Sequence, residues 1–233
     1  MNYGEIERQT FRTFLAFSGL LITIVLIFFN ISSNFYRVSN ITYINDTGLS
    51  KTSIESIKGT SIWLVDDTYF DSFYVANPSV EKITITKELP NTLVIDVTIS
   101  EKIAYIQDNR QSPPRAFVLH KNLYTDDVKT NKGLLSLKIN NGPVREGFYE
   151  EIITFVLTLK KYSINISNVN MEFDGTSILV THFNSNFDLG DPSDLARKAS
   201  VVGYYLTEEV CDGEIRLVYS EEGSEIRAVS NCK

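Results

Sequence analysis

The stretch Val80–Ile99, VEKITITKELPNTLVIDVTI, holds two alternating runs around a turn. Val80–Thr86 places Ile83 and Ile85 on one face, and Thr92–Ile99 does the same with Leu93, Ile95, Val97 and Ile99. Lys87–Asn91 (KELPN) separates them, and Pro90-Asn91 is turn chemistry, so the stretch reads as a hairpin with one apolar face. Such a face needs a cover, and the upstream residues supply two short helices. For the first, Ser50 caps the start, Leu49 staples onto Ile54, Ile57 continues the stripe and Gly59 ends it. The second begins at Asp66 or Asp67, presents Phe70, Phe73 and Tyr74, and stops before Asn77-Pro78. Trp63 and Val65 are expected to fill the core at its entrance. Before both helices, Phe35–Tyr43 (FYRVSNITY) alternates with one slip and reads as a strand. The order β-α-α-β-β describes a three-stranded sheet covered on one face, an α+β arrangement.

Further upstream, no Asp, Glu, Lys, Arg or His occurs between Arg12 and Arg37. Phe14–Ile31 (FLAFSGLLITIVLIFFNI) spans roughly 27 Å as a helix, close to the thickness of a bilayer's hydrocarbon core. A buried soluble helix of this length would show a polar stripe, and a cleaved signal peptide would have a shorter apolar run before a small-x-small site. Ile31-Ser32-Ser33 is a poor version of that site, so the segment reads as a retained anchor. Arg8 and Arg12 on one side nearly balance Arg37 and Lys51 on the other, so charge leaves the orientation open. The chain as a whole carries −7, and residues 1–37 carry +1, so the remainder is acidic and gains nothing from nucleic acid.

Downstream, Ala116–Leu119 and Leu135–Ile139 are short alternating runs, and Phe148, Ile152, Val156 and Leu159 share one helical stripe. Phe173-Asp-Gly-Thr176 marks a hairpin between Asn168–Phe173 and Ser177–Thr181. A helix opens at Asp191-Pro192 and buries Leu195, Ala199, Val202 and Leu206. Glu214–Tyr219 and Ser224–Ser230 form a last hairpin around Glu221-Glu-Gly223.

Catalytic candidates are few. The two histidines, His120 and His182, have no His or Cys at ligand spacing, and HExxH, GxSxG and the P-loop are absent. His120 reads as loop and His182 as an outward strand residue, while Asp126-Asp127, Glu150-Glu151 and Glu221-Glu222 read as solvated surface. Cys211 and Cys232 leave two readings open, a disulfide pinning the last hairpin or one packed and one frayed thiol. Asn-x-Ser/Thr sequons such as those at Asn40, Asn45 and Asn165 carry little weight at that length. A strand-rich scaffold of this kind points to protein recognition, with an edge strand offering backbone groups to a partner strand.

Ser61-Ile-Trp-Leu-Val-Asp66, Pro78-Ser-Val80, Glu88-Leu-Pro-Asn-Thr-Leu93 and Ile95-Asp-Val97 resemble the spaced pattern of the POTRA module in the FtsQ/DivIB family of bacterial cell-division proteins. Phe187-Asp-Leu-Gly190, Leu195-Ala-Arg-Lys198 and Gly213-Glu-Ile-Arg-Leu217 resemble that family's β domain. The resemblance implies a cytoplasmic tail over 1–12, a transmembrane helix over 13–34, a POTRA domain over 35–102 and an extracytoplasmic, mixed or antiparallel β domain with two helices over 103–231. It implies a non-enzymatic, single-pass scaffold at the division septum, with no cofactor, no metal and no small-molecule substrate. Its partners would be other division proteins, FtsL-like and FtsB/DivIC-like coiled-coil membrane proteins. The contact residues it points to are Tyr219, Glu225, Ile226, Arg227, Ala228 and Val229. Two alternatives stay open: a POTRA-containing chaperone of secretion or membrane assembly, and a membrane-anchored extracytoplasmic hydrolase.

Overall fold

The computed structural model describes residues 3–45, 48–128, 130–209, 211–219 and 225–232. The expected turn at Glu221–Gly223 and most of the sequon at Asn45 therefore lie outside the described residues. The architecture is α+β, an N-terminal apolar helix followed by sheet-rich structure with few helices.

Helix α1 (Tyr3–Ser32) contains Phe11–Ile31, which is long and apolar enough to cross a membrane and has none of its apolar window buried. Two of its polar side chains are satisfied within the helix: Thr23 Oγ1 donates to the Gly19 carbonyl and Asn30 Nδ2 to that of Leu26, both at 2.8 Å. Back-bonding of this kind lets a hydroxyl or amide sit in an apolar environment without an unpaired donor.

The chain divides after Ile99 into two units. In the first, β1 (Asn40–Ile44), β2 (Val80–Glu88) and β3 (Thr92–Ile99) form a sheet of order β1-β3-β2, with β3 parallel to β1 and antiparallel to β2. Leu93, Ile95 and Val97 of the central strand are fully buried under Ile54, Ile57, Phe70 and Phe73. These come from α2 (Thr52–Glu55), the turn after it, a 3-10 turn at Asp67–Phe70 and α3 (Asp71–Ala76). Tyr74 completes the cover, its hydroxyl accepting the Ile83 N–H at 3.0 Å. Asp66 caps the 3-10 turn by accepting the Thr68 N–H.

Four local expectations are corrected in this unit. The first strand is shorter, because Asn34–Tyr36 forms a 3-10 turn capped by Ser33. Helix α2 is a single turn that Ser50 does not cap. Instead the Asn77 side chain clasps Ser50, accepting its N–H at 2.8 Å and donating to its carbonyl at 3.0 Å. Trp63 is 44% exposed, and the core position falls to its neighbour Ile62, fully buried along with Val65. Ile99 is also exposed, since the register shift between Val80 and Lys82 interrupts the alternation at that end of the hairpin.

The second unit is one nine-stranded sheet of order β12-β11-β10-β9-β8-β7-β4-β5-β6. Its strands are β4 (Lys102–Asp108), β5 (Arg115–His120), β6 (Thr125–Asp127), β7 (Leu135–Ile139), β8 (Val169–Phe173), β9 (Ile178–His182), β10 (Ser185–Asp188), β11 (Gly213–Tyr219) and β12 (Ile226–Cys232). The pairs β4/β7, β7/β8 and β10/β11 are parallel and the remainder antiparallel. Helices α4 (Phe148–Lys161) and α5 (Leu195–Thr207) cover one face, burying the expected stripe Phe148, Ile152, Val156 and Leu159, and Leu195, Ala199 and Val202. Leu206 is only partly buried.

Helix α5 begins at Leu195 rather than at Pro192. Its first N–H, on Leu195, is capped at 2.8 Å by Glu151 of α4, a carboxylate expected to be mere surface. An acceptor from the neighbouring helix thus replaces a local cap. The two helices also touch closely beyond α4, where a Cβ added at Gly203 would lie 2.6 Å from the Tyr162 ring.

Candidate partner-binding edge

β12 is one edge of the large sheet, paired on its inner side with β11 from Gly213↔Cys232 to Tyr219↔Ile226. Pleating sorts its side chains into two sets. Ile226 and Ala228 lie opposite Tyr219 and the buried Leu217, on the face covered by helices, and pack at the margin of the core. Arg227 and Val229 lie opposite Val218 and Arg216 on the open face, where Val229 is 62% exposed. Glu225 immediately precedes the strand and is exposed.

Three devices hold this edge in place. The Cys211–Cys232 disulfide ties the segment entering β11 to the end of β12, and the Ser185 hydroxyl donates to the Cys211 carbonyl at 2.7 Å. Of the two sequence readings of the cysteines, the disulfide is the one formed. Beneath Tyr219 lies Lys198, only 1% exposed, whose ammonium is 5.3 Å from the ring centroid. Lys198 Nζ donates to the Asp191 carbonyl at 2.7 Å and to its carboxylate at 3.0 Å. Partial burial opposes the charge on Asp191, but the Ser193 hydroxyl and the Lys198 ammonium outweigh it and hold the carboxyl below its ordinary value.

A groove flanks the edge on each face. On the open face, a groove of about 740 Å³ is lined by Leu179, Asp188, Glu214, Arg216, Val229 and their neighbours. Asp188 and Arg216 face each other across β10 and β11 at 3.5 Å, and Asp174 and Glu214 add negative charge. On the helix face, a groove of about 360 Å³ runs between Arg197, Ser200 and Val201 of α5 and the pair Glu225 and Ile226. A strand added beside β12 would complete its outer backbone groups and send alternate side chains toward the two grooves, the geometry of strand-addition recognition.

The histidines are placed differently from expectation. His120 is not in a loop: it ends β5, is fully buried, and links the Ser100 carbonyl (3.1 Å from Nδ1) to the Asp126 carboxylate (3.0 Å from Nε2). Asp126 is therefore a buried-side partner rather than free surface, and its hydrogen bond also raises the Tyr124 hydroxyl's pKa. The Ser100 hydroxyl accepts the Asn122 N–H, and the two imidazole nitrogens are engaged by the Ser100 carbonyl and the Asp126 carboxylate, which is not the serine-histidine-aspartate arrangement of a nucleophilic relay. Nothing in the local pattern flagged His120, because the turn after it looks like loop. His182 is half-buried rather than outward, and burial lowers its pKa. Among the described residues, no group of three or more His, Cys, Asp or Glu is placed to hold a metal ion.

No protein-family model matches this chain. A stretch of 72 residues, 31% of the chain, is 35% identical to "Cell division protein DivIB" of Staphylococcus aureus (strain NCTC 8325 / PS 47). That stretch spans 14% of the relative's length.

Proposed function

We propose that this chain is a non-enzymatic, membrane-tethered scaffold of the bacterial division machinery, of the FtsQ/DivIB type, which captures partners by strand addition at β12. The observation that carries the reading is the edge itself: β12 closes one side of a nine-stranded sheet, is fastened by a disulfide and a buried lysine, and has a groove on each face. The local similarity to a cell-division protein supplies the process. In this reading residues 1–12 are cytoplasmic, 13–34 cross the membrane, and the POTRA module (35–102) and β domain (103–231) lie outside, at the septum.

The contact residues are Tyr219, Glu225, Ile226, Arg227, Ala228 and Val229, and the partners are FtsL-like and FtsB/DivIC-like coiled-coil membrane proteins. Confinement to one membrane raises the effective concentration of such partners, so each contact need be only moderately strong. Co-purification of the full chain with these proteins from its own host tests the proposal. Val229→Asp and Arg227→Glu alter exposed side chains and should leave the fold intact while reducing capture. Full capture by both folded variants and by Ile226→Pro would reject β12 as the contact.

A further inference from the structure

Phe35, Trp63 and Leu64 are 63%, 44% and 52% exposed, three large apolar side chains in one small region. The Tyr36 ring joins two of them, with its centroid 5.2 Å from that of Phe35 and 5.8 Å from that of Trp63. The backbone fixes this ridge rather than leaving it frayed. Ile62 N–H donates to the Tyr36 carbonyl at 2.8 Å, Val38 N–H to Thr60 at 2.9 Å, and Arg37 bridges Ser61. With Ile62 locked into the core, its neighbour Trp63 is directed outward by construction.

What covers the ridge follows from its continuity with α1. Trp63 forms one wall of a groove of about 370 Å³ whose other walls are Thr23, Leu26, Ile27, Asn30 and Ile31. Ile31 ends the membrane-crossing segment, and Thr23 lies about 12 Å below it at the helical rise. Trp63 therefore stands beside the last turns of the span, at the depth where a bilayer passes from acyl chain to headgroup. An indole, with an apolar body and one N–H, suits that layer.

We propose that Phe35, Trp63 and Leu64 form an interfacial foot seated in the bilayer, with lipid filling the groove between Trp63 and α1. The foot holds the first unit down on the membrane instead of letting it swing on the residues after Ser32. The inference depends on α1 crossing the membrane and is independent of any division partner.

Trp63 is the chain's sole tryptophan, so its fluorescence reads the foot directly. The full chain would be reconstituted into vesicles of phosphatidylcholine and phosphatidylglycerol, with bromine placed either high on the acyl chain or near its methyl end. The proposal predicts blue-shifted emission, quenched roughly twofold more strongly by the high position than by the low one. Phe35→Ser with Leu64→Ser should shift the emission to the red and expose Trp63 to aqueous iodide, folding being checked by circular dichroism. Water-like emission in the unaltered chain, quenched by iodide and not by brominated lipid, would overturn the proposal. So would blue-shifted emission insensitive to both quenchers, because Trp63 would then be packed against protein.

Discussion

The ammonium of Lys198 lies 5.3 Å from the centroid of the Tyr219 ring, held there by two hydrogen bonds to Asp191. A buried cation thus underlies an exposed aromatic on the hairpin that carries the proposed contact. Removing Asp191 leaves the buried ammonium without its carboxylate, whereas an apolar isostere of Lys198 leaves behind only a half-exposed carboxylate. Asp191→Ala should cost about 2 kcal/mol, since the carboxylate is half-exposed, whereas Lys198→Met should lie within about 1 kcal/mol of the natural chain. Urea unfolding of both variants checks the order, and the reverse order would refute the account of Lys198.

The disulfide closes a segment of sequence separation 21 that includes the whole last hairpin. Cross-linking a loop of that size restricts the unfolded chain by about 3 kcal/mol. Cys211→Ser with Cys232→Ser should lose about that much stability, and reductant should lower the melting temperature of the natural chain but not of the double variant. Equal response of both chains to reductant would contradict this.

Asp174 makes the tight turn between β8 and β9, accepting the Ser177 and Thr176 N–H groups at 2.8 Å each. These bonds, Ser177's first, lower its pKa from 3.8 to about 2. Because the folded value is depressed, the carboxylate's contribution is complete above about pH 4 and is lost as pH falls toward about 2. The melting-temperature gap between the natural chain and Asp174→Ala should therefore be widest above pH 4 and shrink across that window. A gap independent of pH would show that the charge plays no part.

Gly203 sits where α5 meets the Tyr162 ring, whose nearest carbon is 2.6 Å from the position a Cβ would occupy. Gly203→Ala should cost about 1–3 kcal/mol by overpacking. In a Tyr162→Ala background the same change should turn neutral or stabilising, by up to about 1 kcal/mol, as the helix gains from alanine. A double-mutant cycle measures the difference, and additivity of the two changes would refute the contact.

The hairpins and the α4 stripe were legible in the sequence because their signals are local. Ile83 to Val97 alternate, and Phe148 to Leu159 recur at helical spacing. The misreadings share a different cause. Ser50 looked like a cap, yet its backbone is claimed by Asn77, far along the chain. Pro192 looked like a helix start, yet the α5 cap is Glu151 from another helix. Trp63, an aromatic that suits a core, is exposed, while the smaller Ile62 beside it takes the buried position. At the candidate edge, the sequence indicates a strand over Ser224–Ser230, and β12 runs Ile226–Cys232, two residues further on. The buried cation under Tyr219 is not legible there, since it depends on α5 and the Asp191 loop converging.

The central claim is that partners add a strand to β12, and backbone hydrogen exchange of the full chain with and without bound FtsL-like and DivIC-like proteins tests it most directly. The account predicts new protection over 225–232, and none at β6, the opposite edge of the same sheet. Partner binding that leaves 225–232 unprotected, or that protects only the first unit, would contradict it.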